Sequence, residues 1–122
     1  MRFVFKAPQR FDADGVTANR TVIERLANSN GDVIVDMAEV ELIDGSGFGA
    51  LAHIHKRLAR QKHSVTVVNV GGQPRDLMLR TGLLDVLGSR ASAETLMTGD
   101  YVIVAAQGQA AEGIATDRRT AA

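Results

Sequence analysis

Val40-Glu41-Leu42-Ile43-Asp44-Gly45-Ser46-Gly47-Phe48-Gly49-Ala50-Leu51 passes from a short apolar run, through three glycines in five residues, into an apolar stripe. Phe48, Leu51, Ile54 and Leu58 recur at spacings of three or four, while Lys56, Arg57, Arg60 and Lys62 fall largely elsewhere. That spacing predicts an amphipathic helix over 47–62, its start marked by Ser46. The stretch is therefore a strand, a glycine-rich turn and a helix. A helix N-terminus has unpaired N–H groups and a partial positive charge, so a hydroxyl there can cap it and an anion there is favoured.

Outward from this turn, Val33 to Asp36 and Val65 to Val70 are β-branched runs bounded by turn or charged residues and read as buried strands. Val40 to Ile43 reads as an extension of the first, and Phe3 to Phe5 as an edge strand. Val16 to Asn28 places Val22, Ile23 and Leu26 on one helical face, with Asn28-Ser29-Asn30-Gly31 as its stop. A third helix starts at Pro74, a residue tolerated in a first helical turn, and stops at Gly82. Leu83 to Leu87 follows, then a helical turn at Ala93 to Met97 and a strand at Tyr101 to Val104. Strands alternating with helices imply crossover connections and an α/β sheet, whose functional loops lie at the carboxyl ends of the strands. The Asp44 to Gly49 turn is at that end.

The chain has 122 residues, 14 Lys+Arg against 14 Asp+Glu, 45% hydrophobic residues and no cysteine. This length suits one domain that buries roughly two-thirds of its unfolded surface without disulfides or structural metal. Lack of cysteine excludes thiol redox chemistry, Cys–zinc sites and thiol nucleophiles. Balanced charge argues against nucleic-acid binding. Arg2, Lys6, Arg10, Asp12 and Asp14 interrupt any N-terminal signal peptide, and no stretch approaches the roughly 18 apolar residues of a membrane span. The expected product is a soluble cytoplasmic domain over 1–106 without membrane insertion. Residues 107–122 carry one large apolar residue, Ile114, and read as a disordered tail.

Three readings compete for the turn. Gly45-x-Gly47-x-x-Ala50 formally fits a relaxed dinucleotide loop, but Val65 to Val70 leads into Gly71-Gly72-Gln73, without the acidic residue such a site needs for the ribose. A serine nucleophile elbow requires glycine at positions 44 and 48, where Asp44 and Phe48 stand. The third reading rests on resemblance. The strand ending in Asp36, the Ile43-Asp44 pair, Gly47 before an apolar residue and Gly49, the Val65 to Val70 strand and Thr81-Gly82-Leu83 follow one another as in a STAS domain. Upstream, the RFDADGVTAN segment resembles that family's turn into its first helix.

The resemblance is to bacterial anti-sigma factor antagonists. It implies a small α/β domain with a central mixed sheet of about four to five strands covered by about four helices. It also implies a binding module rather than an enzyme, with no cofactor and no metal. In that family the partner is a serine kinase that is also an anti-sigma factor. The kinase phosphorylates a Ser or Thr directly after the loop Asp, and a phosphatase reverses this. Here that position is Gly45, so Ser46 is the candidate phosphoacceptor, with a plain helix cap as its structural alternative. Asp44, Gly45, Ser46, Gly47, Phe48 and Gly49 form the expected partner-binding set, although Phe48 also fits as the first core residue of its helix. A STAS subunit of a lipid-asymmetry ABC transporter is the alternative within the family, and a nucleotide-binding protein using the glycine loop is the alternative outside it. His53 and His55 are two apart and point away from each other on a helix, so they make no metal pair.

Overall fold

Short β-branched runs alternating with amphipathic helices should fold as parallel strands joined by helical crossovers, and they do. The computed structural model describes residues 2–88, 96 and 99–106, together with the backbone of 114–119. The elements run β1 (Arg2–Lys6), β2 (Arg10–Phe11), α1 (Ala13–Ala18), α2 (Arg20–Ala27), β3 (Asp32–Asp36), β4 (Leu42–Ile43), α3 (Gly45–Arg60), β5 (Val65–Val68), α4 (Gly72–Thr81), α5 (Leu83–Leu87), β6 (Gly99–Ala105) and β7 (Ile114–Arg119). One five-stranded sheet has the order β5-β3-β1-β6-β7. Its first four strands are parallel, and β7 runs antiparallel to β6. This is the α/β class with a mixed sheet that the sequence predicted.

Three local expectations are corrected. Phe3 to Phe5 is not at an edge: β1 lies between β3 and β6, with Val4 opposite Ile34 and Ile103, and Phe5 opposite Val35 and Val104. Val4 and Phe5 are both buried. A strand covered on both faces loses polar alternation, which is why its pattern looked weak. Val40 to Ile43 does not extend β3, because the chain turns after Asp36, whose carboxylate accepts from the Ala38 amide and from Asn69 Nδ2, each at 3.0 Å, and pairs with Lys6 Nζ at 3.1 Å. Leu42 and Ile43 instead form β4, which pairs in parallel with β2 in a separate two-stranded sheet. Finally, the helix read over Val16 to Asn28 begins earlier and divides into α1 and α2 at Asn19. That residue is buried, and its side-chain nitrogen donates to Gly15 O at 2.8 Å.

The main core lies between one sheet face and the helices. Phe5, Val33, Val35, Val65 and Val67 from the strands meet Val22, Ile23 and Leu26 of α2 and Leu51, Ile54 and Leu58 of α3. Burying each such side chain contributes about 1.5 to 3 kcal/mol, so this face holds α3 and the turn before it. On the opposite face, Val4, Ile34, Val68 and Tyr101 form a smaller cluster, packed by Ile103 and Leu96. The basic residues of α3 partly serve this packing: His53 Nε2 lies 2.7 Å from Glu24 Oε1, and Arg57 donates to Asn28 Oδ1 at 2.6 Å, tying α3 to α2. Gly82, at φ +77°, ends α4 in the left-handed conformation that glycine adopts without strain. Within the stretch read as a tail, the backbone of β7 pairs antiparallel with β6. The rest of 107–122, and all of the turn expected at 93–97 except residue 96, lie outside the described residues.

Candidate functional site

Two strand-to-helix turns stand side by side at one end of the molecule. Strands β2 and β4 pair in register, Phe11 opposite Ile43, so Asp12 and Asp44 follow as neighbours and open α1 and α3. Each aspartate is the N-cap of its helix. Asp44 Oδ1 accepts from the backbone amides of Ser46 at 2.8 Å and Gly47 at 3.2 Å. Asp12 Oδ1 accepts from Gly15 N at 3.0 Å, and its other oxygen from Arg10 Nε at 3.2 Å. The Gly15 amide bond, helped by Arg10, outweighs desolvation and holds the Asp12 carboxyl below its ordinary range.

This geometry corrects the start of the helix. Ser46 was expected to mark it, but Asp44 does so, because a carboxylate one residue before the helix reaches two orphan amides at once. The Ser46 hydroxyl is left without a capping role, on a half-buried residue between exposed Gly45 and buried Gly47.

The three loop glycines differ in kind. A Cβ on Gly47 would lie 2.2 Å from Phe11 O and 2.7 Å from Ile43 Cγ1. Gly47 is thus the point where α3 touches β2. Gly15 plays the same part in α1, its Cβ position lying 2.0 Å from Arg10 O. Gly45 and Gly49 are exposed and would bring an added Cβ within 4 Å of nothing. They leave bare backbone at the surface. Phe48 is half-buried and packs against the main core, which supports its reading as the first core residue of the stripe. In this loop Asp44 and Gly47 are framework, Gly45 and Gly49 are exposed, and Ser46 is half-buried between them.

A residue the sequence reading did not single out closes the other side. Gln73, in the first turn of α4, accepts from Ile43 N through Oε1 and donates to Ile43 O through Nε2, both at 2.9 Å. Asp12, Gly15 and Gln73 all belong to the framework. The repeated spacing Asp12-x-x-Gly15 and Asp44-x-x-Gly47 was a signal available for the first two.

A phosphate at this helix start would meet amides already occupied by the Asp44 carboxylate. Charge and hydrogen-bond capacity both oppose a nucleotide there. A cleft of about 380 Å³ lined by Gln9, Ala38, Glu39 and Glu41 and another of about 430 Å³ lined by Arg20, Thr21, Glu24, Arg25 and Asn28 involve none of the loop residues. Among the described residues, no three His, Cys, Asp or Glu side chains gather as metal ligands, and no helix is long and apolar enough to cross a membrane.

Comparison with known families gives a match to the STAS domain over residues 5–96, which takes in strands β2 to β5, both capped turns and α1 to α5, and ends before β6. No curated protein and no solved structure matches the chain.

Proposed function

The chain belongs to the STAS domain family, and from that premise we propose that it is a protein-docking module in a partner-switching pathway of the cytoplasm, acting as an anti-sigma factor antagonist rather than as an enzyme. Its partner is a serine kinase that is also an anti-sigma factor. The contact is made by Asp44, Gly45, Ser46, Gly47, Phe48 and Gly49 with the first turns of α3. The observation that carries this reading is the Asp44 cap: it fixes the loop, occupies the amides a phosphate ligand would need, and leaves Gly45 and Gly49 exposed with the half-buried Ser46 between them.

Regulation is assigned to Ser46, the one hydroxyl in the loop. A phosphate of roughly −1.5 to −2 charge on Ser46 would sit beside the Asp44 carboxylate with the helix amides already taken. Like-charge repulsion and the cost of desolvating a dianion at the contact would weaken the complex, and a phosphatase would restore it.

The test measures the affinity of wild type, Ser46→Ala and Ser46→Asp for the purified kinase partner. The alanine variant should bind like wild type and the aspartate variant at least about tenfold more weakly. Equal binding by Ser46→Asp would remove Ser46 from the switch.

A further inference from the structure

We propose that Gln73 is the positioning residue of this loop: its side-chain amide fixes the backbone of Ile43, the residue before Asp44, and thereby sets how the Asp44–Gly49 turn is presented. The importance of that presentation for a partner rests on the docking reading above, whereas the clasp itself does not.

The need for a clasp follows from the strand. β4 is two residues long, and among the described residues its one strand partner is β2. Ile43 directs its N–H and C=O to Gln73, while its side chain is buried. Unpaired backbone groups beside buried structure are costly, and a peptide from a third strand would ordinarily pair them. The Gln73 amide supplies the same donor and acceptor from a distance of thirty residues in sequence.

Its own position is fixed. Pro74 and Met78 are buried and seat α4, and Gly72, at φ +56°, turns the chain so that α4 begins beside β4. The docking loop is thus held on one side by Gly47 against Phe11 O and on the other by Gln73.

The required chemistry is narrow. Methionine matches the length of glutamine but makes neither bond. Ionised glutamate accepts from Ile43 N but turns a second acceptor toward Ile43 O. Protonated glutamate regains the missing donor, so Gln73→Glu should be rescued by acid.

Amide exchange of wild type, Gln73→Glu and Gln73→Met, compared with wild type at the same pH, tests the clasp. At pH 7 both variants should show about tenfold faster exchange at Ile43, Ser46 and Gly47, with Val33 and Val35 of β3 unchanged. Near pH 3.5, where an unperturbed glutamate with a pKa of about 4.3 is largely protonated, Gln73→Glu should return toward wild type and Gln73→Met should not. Unchanged loop amides at pH 7, equal acceleration of the β3 amides, or no acid rescue of Gln73→Glu would overturn the clasp.

Partner affinity at pH 7 completes the test. It should fall about tenfold in both variants at a temperature where circular dichroism shows both to be fully folded, and full affinity with a loosened loop would overturn the positioning role. If wild type binds no kinase partner, the docking reading fails, and the exchange result still decides the clasp.

Discussion

Replacing glycine by alanine at 47 and at 49 should have opposite effects within one helix. In an ordinary helix interior the change stabilises by about 0.5 to 1 kcal/mol, because alanine restricts the unfolded chain and has the better helix propensity. Gly49 has open space around its added Cβ, so it should show that gain. At Gly47 the new methyl would lie 2.2 Å from the backbone oxygen of Phe11, where contacts under 3.0 Å are essentially never seen. Phe11 is itself buried and its strand is paired with β4, so neither side can yield without disturbing the core. Forced overpacking costs typically about 1 to 3 kcal/mol, and a backbone obstacle belongs at the upper end. Set against a propensity gain of at most about 1 kcal/mol, the net loss is about 2 kcal/mol. For a domain of this size that lowers the melting temperature by roughly 10 °C and the urea midpoint by about 1 M. Urea titrations of the two variants decide it. A Gly47→Ala protein as stable as wild type would show that α3 does not seat on β2 as described.

Other outcomes follow from the same geometry. Asp44→Ala should destabilise by about 0.5 to 2 kcal/mol through loss of the cap, while Asp44→Asn, which keeps an accepting oxygen, should lose much less; urea midpoints measure both. Burial alone raises the Asp36 carboxyl, but the bonds from Asn69, the Ala38 amide and Lys6 outweigh it and leave the carboxyl below its ordinary value of 3.8. Its contribution is therefore complete above that value and lost as pH falls through the lower folded one, so wild type should lose stability between about pH 4 and pH 2 more steeply than Asp36→Asn. Nucleotide titration should produce no thermal shift, whereas a ligand present at a hundred times its dissociation constant would stabilise by about 2.7 kcal/mol.

What the sequence could reveal depended on the kind of force involved. Helix α3 and strands β3 and β5 were legible because hydrophobic periodicity records burial directly, and Gly82 because a left-handed stop needs glycine. The central place of β1 was hidden, since Arg2-Phe3-Val4-Phe5-Lys6 has the same composition whether one face or both are covered. The Asp44–Gly49 loop was legible in position but not in how it is held. Two oxygens compete to cap α3, and only coordinates decide between the Asp44 carboxylate and the Ser46 hydroxyl. Gln73 lies thirty residues from Ile43, and nothing local in Gly71-Gly72-Gln73 marks a side chain that completes a strand elsewhere.

The most direct test of the proposed docking surface compares tagged wild type with Gly49→Arg as bait in native cells, with quantitative mass spectrometry of captured proteins. Gly49 is exposed with open space at its Cβ, so the arginine should leave the fold intact while obstructing the surface. The account predicts that wild type captures a kinase of the anti-sigma type and that Gly49→Arg loses it. Retention of that kinase by the variant, or capture of a transporter ATPase in its place, would contradict the account.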